Sequence, residues 1–305
     1  MRKTLVIAAL LTAATAAMAQ NLFVGSYNIR NNSPNGDVEN GNGWDRRVSV
    51  ISGQINFEQP DIFGTQEVLY EQLTDLEKYL PDYGHIGVGR DDGIHDGEHE
   101  LIWYRKDRLQ LLDNGDFWLA EVTDRPTIGW DACCERICSW GKFKVKGEKK
   151  AKTFFYFNLH MDHIGSIARR ESAKLVVKKI VEIAKGAPVI LTGDFNTGQD
   201  DETYKIFTES GLLKDSYVAA KHRFAENGTF NCFDPAFHTK SRIDHIFVSP
   251  ATTVHNYAVM TNCYWTEIPN EKEQEGRDAP KEIRFKRYQQ RCPSDHFPIW
   301  AKITL

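Results

Sequence analysis

Apolar positions along this chain follow two rhythms. Short strand-like runs recur at 22–29, 62–66, 101–104, 137–145, 153–160, 189–192, 243–248 and 297–303. A 3.6-residue periodicity marks helices over 44–57, 69–80, 168–184 and 202–210, with Gly211 placed where a helix C-cap is expected. Strands and helices alternate early, whereas later strands follow one another across long loops. That order predicts an α/β (α+β) sandwich on mixed sheets rather than a parallel doubly wound fold. No repeat, linker or compositional break divides residues 20–305, which therefore read as one domain. Residues 31–43 form a Gly/Asn-rich loop, and 270–291 are a charge-rich excursion that composition assigns to a solvated loop.

The first 19 residues have a different pattern. Met1-Arg2-Lys3 precedes an apolar run over 5–11 and small residues ending Ala17-Met18-Ala19. A basic start, a short apolar stretch and an A-x-A ending predict a secretory signal peptide over 1–19 and an exported protein, periplasmic or extracellular. The run is too short for a permanent span, so no stable membrane insertion is expected. The residue after the cleavage point is Gln20 rather than a cysteine, so no lipid anchor is expected either.

The 305 residues are 41% hydrophobic and 26% charged, as in an ordinary globular protein, with a formal charge of −4. Removing Arg2 and Lys3 from the 38 basic residues leaves 36 against 42 acidic ones, a charge of −6. A mildly acidic surface offers no global attraction to nucleic acid. Basic residues concentrate only at 142–152 and 281–291, the second beside several glutamates. All six cysteines lie beyond the leader, where oxidation is available. Cys263 and Cys292 bracket the charged excursion, and a bridge there would staple its base. Cys133, Cys134 and Cys138 match no common paired zinc-knuckle spacing, so structural thiols, free or bridged, are expected.

Polar groups recur at strand ends. Tyr27-Asn28 ends the first run, Gln66-Glu67 the second, and Asn158-Leu159-His160 a middle one. Asp194 and Asn196 follow Leu191, Asp244 lies in Arg242-Ile243-Asp244-His245, and Ser294-Asp295-His296 precedes the last run. Taken singly, Asn28 reads as a turn cap, Glu67 as a helix start and His160 as a core histidine. Together they supply hard oxygen donors, two imidazoles and several amides at the ends of rigid strands. Magnesium takes one or two carboxylates and leaves its other positions to water or phosphate. The set therefore fits metal-assisted hydrolysis of a phosphate ester.

In this order the motifs Tyr27-Asn28-Ile29-Arg30, Gln66-Glu67, Asn158-x-His160, Gly193-Asp194-Phe195-Asn196, Arg242-Ile243-Asp244 and Ser294-Asp295-His296 resemble the endonuclease/exonuclease/phosphatase superfamily. The likeness covers essentially the whole chain beyond the leader. It implies a four-layered, deoxyribonuclease-I-like sandwich of two packed β-sheets flanked by helices, with a site at one edge. It also implies Glu67 as principal ligand of Mg2+ (Mn2+ as the alternative), with Asp295 and Asn28 completing the metal and phosphate site. Asp194 and Asn196 would position the attacking water and the phosphate. His296 would act as base or as charged stabiliser, oriented by Asp244. His160 would face the phosphate from the other side and protonate the leaving oxygen, oriented by Glu98 or its neighbour Glu100. Arg136, in Arg136-Ile137-Cys138-Ser139-Trp140, would touch substrate phosphate.

The superfamily acts on DNA, RNA tails, inositol phosphates, sphingomyelin and nucleotide cofactors, so fold alone does not choose a substrate. The segment from Trp130 to Arg136, together with Met161-Asp162-His163 and Gly228-Thr229-Phe230-Asn231, resembles an exported bacterial branch. Where the family pattern has small apolar residues, this chain has Cys133-Cys134. The expectation is an exported phosphodiesterase or phosphatase acting on a small phosphate ester, with no obligate protein partner. Its rivals are a nuclease scavenging extracellular DNA or RNA and a catalytically silent binding module.

Overall fold

The computed structural model describes residues 20–32, 36–147, 152–224 and 226–305; the expected signal peptide lies outside them. The chain runs β1 (Asn21–Asn28), α1 (Trp44–Glu58), β2 (Ile62–Val68), α2 (Tyr70–Tyr79), β3 (Tyr83–Ile86), β4 (His99–Arg105), β5 (Leu109–Trp118), β6 (Ile137–Val145) and β7 (Thr153–His160). It continues through α3 (Ser166–Ala184), β8 (Val189–Asp194), α4 (Glu202–Thr208), β9 (Lys214–Asp215), α5 (Ser216–Ala219), β10 (His222–Phe224), β11 (Asp244–Val248) and β12 (Thr253–Val259). It closes with β13 (Tyr264–Glu267), β14 (Gln274–Glu275), β15 (Arg284–Phe285), β16 (Tyr288–Arg291) and β17 (Ile299–Thr304).

Two large sheets result, with strand orders β10-β12-β17-β1-β2-β4-β3 and β5-β6-β7-β8-β11-β9. Strand alternation sorts their side chains into three apolar layers. Leu22 and Val24 of β1, Ile62, Ile102, Tyr156, Ile190 and Ile246 meet between the sheets. Tyr27, Phe63, Trp103 and Trp300 face the other way and bury the apolar stripe of α1 and α2, including Ile51, Ile55 and Leu76. Phe155, Phe157, Leu191 and Phe247 do the same for Val176 and Ile180 of α3 and Phe207 of α4. This helix–sheet–sheet–helix order is the four-layered sandwich that the family resemblance implies.

Strand direction explains why the motifs gather. β1 and β2 are parallel and joined through α1; β7 and β8 are parallel and joined through α3. Their C-terminal ends carry Asn28, Glu67, His160 and Asp194. The antiparallel neighbours β4, β6, β11 and β17 bring their N-terminal ends to the same edge, with Asp244 opposite Asp194 and His99 opposite Val68. The inward-facing row on each strand is apolar at one end and polar at the other. Val24 gives way to Ser26 and Asn28, Tyr156 to Asn158 and His160, and Ile190 to Thr192 and Asp194. The sheets approach closely at Gly64, since a Cβ there would sit 2.1 Å from Asn158 Oδ1.

Several expectations need correction. β5 is missing from the strand-like runs because Asp113-Asn114-Gly115-Asp116 interrupts its apolar pattern, yet an edge strand can expose such residues. β12 is hidden by a bulge between Val254 and Asn256 that breaks its alternation. α4 ends at Thr208, and Gly211, at φ 72°, lies beyond its Glu209 cap. The 270–291 excursion is not structureless. It contains the β14–β15 pair and β16, which ladders onto β13, and Arg291 ties it to Asn40 O (2.9 Å) and Asn42 Oδ1 (3.1 Å). Cys263 and Cys292 stand at the base of that ladder as thiols 3.8 Å apart. Among the described residues, no helix is long and apolar enough to cross a membrane.

Candidate active site

The polar ends of the two sheets enclose a cavity of about 280 Å³, lined among others by Glu67, Glu98, Arg136, His160, Asp194, Asn196, Asp295 and His296. Larger surface cavities of about 790 and 680 Å³ lie elsewhere and contain none of the motif residues. Of the residues singled out in sequence, Asn28 and Asp244 support the cavity from behind its wall.

Glu67 reaches the cavity through a backbone device. In strict alternation it would follow Phe63 and Thr65 to the helix side of β2. The bulge between Thr65 and Val68, with Glu67 at φ 63°, turns its side chain inward beside Gln66. A non-glycine residue in this region marks strain held by its surroundings. Here the holding bonds are Asn28 Nδ2 to Glu67 Oε1 (2.9 Å) and the Asn31 amide to Oε2 (3.1 Å). Burial opposes the Glu67 carboxylate, but the Asn28 bond, His296, Arg30 and the Asn31 amide hold its pKa below the usual value.

Glu67 and Asp295 are both buried, and each points one oxygen at Arg30 Nη1, at 3.8 and 3.7 Å. A cationic nitrogen thus sits between two hard oxygen donors. This arrangement fits a divalent ion of the magnesium or manganese class. Asn28 differs from its expected place as a ligand. Its amide nitrogen donates to Glu67 and to Asp194 Oδ2 (3.0 Å), while its oxygen accepts from the Arg30 amide (3.0 Å). Two acceptor-only carboxylates on one side and a backbone N–H on the other fix that orientation. Asn28 positions the carboxylates.

Asp194 lies between two imidazoles, 3.5 Å from His160 Nε2 and 3.6 Å from His296 Nε2. Burial, then the nearby Asp244 charge, raises its pKa to about 7. His296 Nδ1 is 2.9 Å from Asp244 Oδ2. Burial disfavours the imidazolium, yet Asp244 and Asp194 outweigh it and lift His296 well above its ordinary pKa. His296 is therefore the charged group of the pair. Thr229 Oγ1 accepts from the Asp244 amide (3.1 Å), and Phe230 packs edge-on against the His296 ring.

His160 is the opposite case. Burial and the guanidinium groups of Arg136 and Arg90 push it well below its ordinary pKa. The Asn196 amide donates to both Met161 O (2.9 Å) and His160 Nε2 (3.1 Å), so that ring nitrogen is an acceptor. The expected proton donation to a leaving oxygen therefore has no proton on the cavity-facing nitrogen. Nδ1 instead faces Glu98 and Glu100, each at 3.9 Å. Glu98 is held by Arg90 and by Asn31 Nδ2 (2.9 Å). Glu100 is fully buried, and neither of its carboxyl oxygens has a hydrogen-bond partner.

Burial, then Glu98, raises the Glu100 pKa well above the ordinary value. The folded state therefore binds this proton more tightly than the unfolded chain. That stability is complete below about pH 4.3–4.5 and is lost as pH rises through the folded pKa, at about 1.4 kcal/mol per tenfold difference in proton affinity. Glu100→Gln, which cannot titrate, is expected to match wild type near pH 4 and to melt several degrees higher at pH 8. Equal melting temperatures at pH 8 would show that Glu100 is not buried as described.

Arg136 is buried, with Nε 3.3 Å from Asp162 Oδ2 and Nη2 3.0 Å from His163 Nδ1. Its Nη1 is buried without a partner and belongs to a cavity-lining side chain, an arrangement suited to an anion. Sequence reasoning missed two further arginines. Arg90 carried no motif signal. Arg47 did carry one, as a charge on the buried stripe of α1 beside Trp44, Val48 and Ile51. It donates to Ile29 O (2.6 Å), Arg30 O (3.1 Å) and Pro293 O (3.2 Å), so it clamps the Arg30 loop to the segment before Ser294.

The endonuclease/exonuclease/phosphatase family model matches residues 25–296. A solved protein of that family from Bacteroides thetaiotaomicron is 47% identical, with TM-score 0.86, over 94% of this chain and 98% of that one. A mannosyl-6-phosphatase of Bacteroides thetaiotaomicron is also 47% identical, with TM-score 0.84, over 93% and 100%. A Bacteroides vulgatus protein of the family is 35% identical, with TM-score 0.78, over 93% and 98%. No curated protein sequence matches the chain.

Proposed function

Since this chain belongs to the endonuclease/exonuclease/phosphatase family, a family of phosphoester hydrolases, we propose that it is an exported, magnesium-dependent phosphatase of small phosphate esters, with sugar phosphates preferred. The carrying observation is the edge cavity. A carboxylate pair, an imidazolium and a buried guanidinium whose Nη1 lacks a hydrogen-bond partner converge within about 280 Å³. That is near the lower end of the ~300–1,000 Å³ typical of small-ligand sites. The 47% identity to a mannosyl-6-phosphatase supports a sugar phosphate. Export rests on the 1–19 pattern and would be seen as a mature N-terminus at Gln20 in the periplasmic or culture fraction.

Glu67 and Asp295 would hold the magnesium ion, which supplies polarisation of a phosphoryl oxygen and neutralises developing charge. Arg136 Nη1 and the His296 imidazolium would bind the other phosphoryl oxygens, most strongly as charge builds in the transition state. Asp194, with a pKa of about 7, is suited to accept the proton of the attacking water. Asn196 and His160 fix the wall opposite His296.

The nuclease reading has less support. Lys142 packs over Phe155 on the helix side of its sheet, away from the edge. None of residues 264–291 lines the cavity. The discriminating test measures phosphate release from hexose 6-phosphates beside hydrolysis of diesters, plasmid DNA and RNA. Monoester hydrolysis is expected to dominate. Plasmid nicking that disappears in His296→Ala, without phosphate release from any monoester, would replace this reading with the nuclease one.

A further inference from the structure

The loop before β6 and the loop after β7 bring together soft and borderline ligand atoms that the hydrolytic reading does not use. Cys133 Sγ lies 3.6 Å from Cys134 Sγ, 3.7 Å from His163 Nδ1 and 3.1 Å from Asp162 Oδ2; Cys134 Sγ is 4.0 Å from the same oxygen. Cys138, grouped with these thiols by sequence spacing, is instead buried in the layer beneath α3. The set is therefore two thiols, an imidazole and a carboxylate from two loops, rather than a three-cysteine cluster.

These separations correspond to a known geometry. Zinc bound tetrahedrally by sulfur at about 2.3 Å and by nitrogen or oxygen at about 2.0–2.1 Å holds its ligand atoms about 3.3–3.8 Å apart. The four values bracket that range; ligand atoms of Cys133, Cys134 and Asp162 all lie within 4.8 Å of one another, and His163 meets the set through Cys133. We propose that Cys133, Cys134, Asp162 and His163 form a second cation site, for zinc or a softer divalent ion, at the rim of the catalytic cavity. The hard oxygens of Glu67 and Asp295 select magnesium-class ions, whereas thiolates select softer metals, so the two sites fill independently.

The loops are already anchored. Asp162 Oδ1 accepts from the Ile164 amide (2.9 Å) and the Gly165 amide (2.6 Å), while Oδ2 accepts from the Cys133 amide (3.2 Å) and faces both thiols. Asp131 accepts from the Ile167 amide (3.2 Å) and the Ala168 amide (2.6 Å) at the start of α3, which pins the cysteine loop. Charge also balances: two thiolates and one carboxylate meet a divalent ion and the Arg136 guanidinium. Binding releases both thiol protons to solvent. Asp162 Oδ2 and His163 Nδ1 are also the partners of Arg136, so a bound cation draws both away from that guanidinium. Cys134 and His163 line the cavity, which gives the ion a path of entry.

The test uses full-length mature protein, stripped of metal, fully reduced and held in excess magnesium. Cys263→Ser/Cys292→Ser serves as the background, because it removes the other close thiol pair. Cadmium chloride is added while the ultraviolet thiolate-to-cadmium charge-transfer band is followed. The band should saturate at one cadmium per chain. It should vanish when Cys133→Ser/Cys134→Ser is added, and His163→Ala should weaken binding by about tenfold or more. Cys133 is exposed and Cys134 half-buried, so serine fits both positions, and His163→Ala tests the site without touching a thiol. No band in the background protein, or a band that survives loss of both thiols, would overturn the site.

Discussion

Asp194→Asn is expected to lower kcat for phosphate-ester hydrolysis by about 10²–10⁴-fold, the range for loss of a positioned general base. The structure gives two reasons. Its carboxylate lies within 3.6 Å of both catalytic-edge histidines, and its pKa of about 7 leaves it able to take a proton under physiological conditions. The fold should tolerate the change. Because the folded pKa is raised, the carboxyl's contribution is complete below about pH 3.8–3.9 and is lost as pH rises through about 7. At pH 8 the substituted amide avoids that loss while keeping the shape. The melting temperature is thus expected to equal or exceed that of wild type. A variant that keeps a tenth or more of wild-type kcat would remove Asp194 from proton transfer. A variant that melts far lower would make it a structural residue instead.

The second large effect belongs to the His296–Asp244 pair. His296→Gln is expected to cost about 10²–10³ in kcat, as loss of one preorganised charge at an anionic transition state does. Asp244 acts through His296, since its Oδ2 holds Nδ1 at 2.9 Å and its backbone is fixed by Thr229. Asp244→Asn should therefore lower activity on its own, yet add little to His296→Gln. Groups that act as a unit are non-additive in this way. Full multiplication of the two losses would show that Asp244 has an independent role.

Much of the site is visible in the sequence because polar residues stay in phase with the apolar ones preceding them. Val24, Ser26 and Asn28 share one face of β1, as do Tyr156, Asn158 and His160 on β7. The period of two carries core residues directly into catalytic ones, and the parallel pairs place their C-terminal ends together. What is not legible depends on departures from that period or on long-range placement. The inward turn of Glu67 needs a bulge that Gln66-Glu67-Val68 does not announce. His160 and His296 look alike in sequence, yet burial reinforced by Arg136 and Arg90 lowers the first pKa, while Asp244 and Asp194 outweigh burial and raise the second. Arg90 enters through a loop with no motif. Arg47 was detectable as a charge on the buried stripe of α1. β5 and β12 were hidden by the polar residues an edge strand can expose and by a bulge.

The central claim is a divalent ion at Glu67 and Asp295 beside a phosphate cavity. It is tested most directly by the initial rate of phosphate release from a hexose 6-phosphate as magnesium is restored to EDTA-stripped protein. The expected result is no turnover without the ion, saturable recovery on adding it, and a magnesium requirement shifted upward by about tenfold or more in Glu67→Gln. Equal turnover before and after stripping, or an unchanged magnesium requirement in Glu67→Gln, would contradict it.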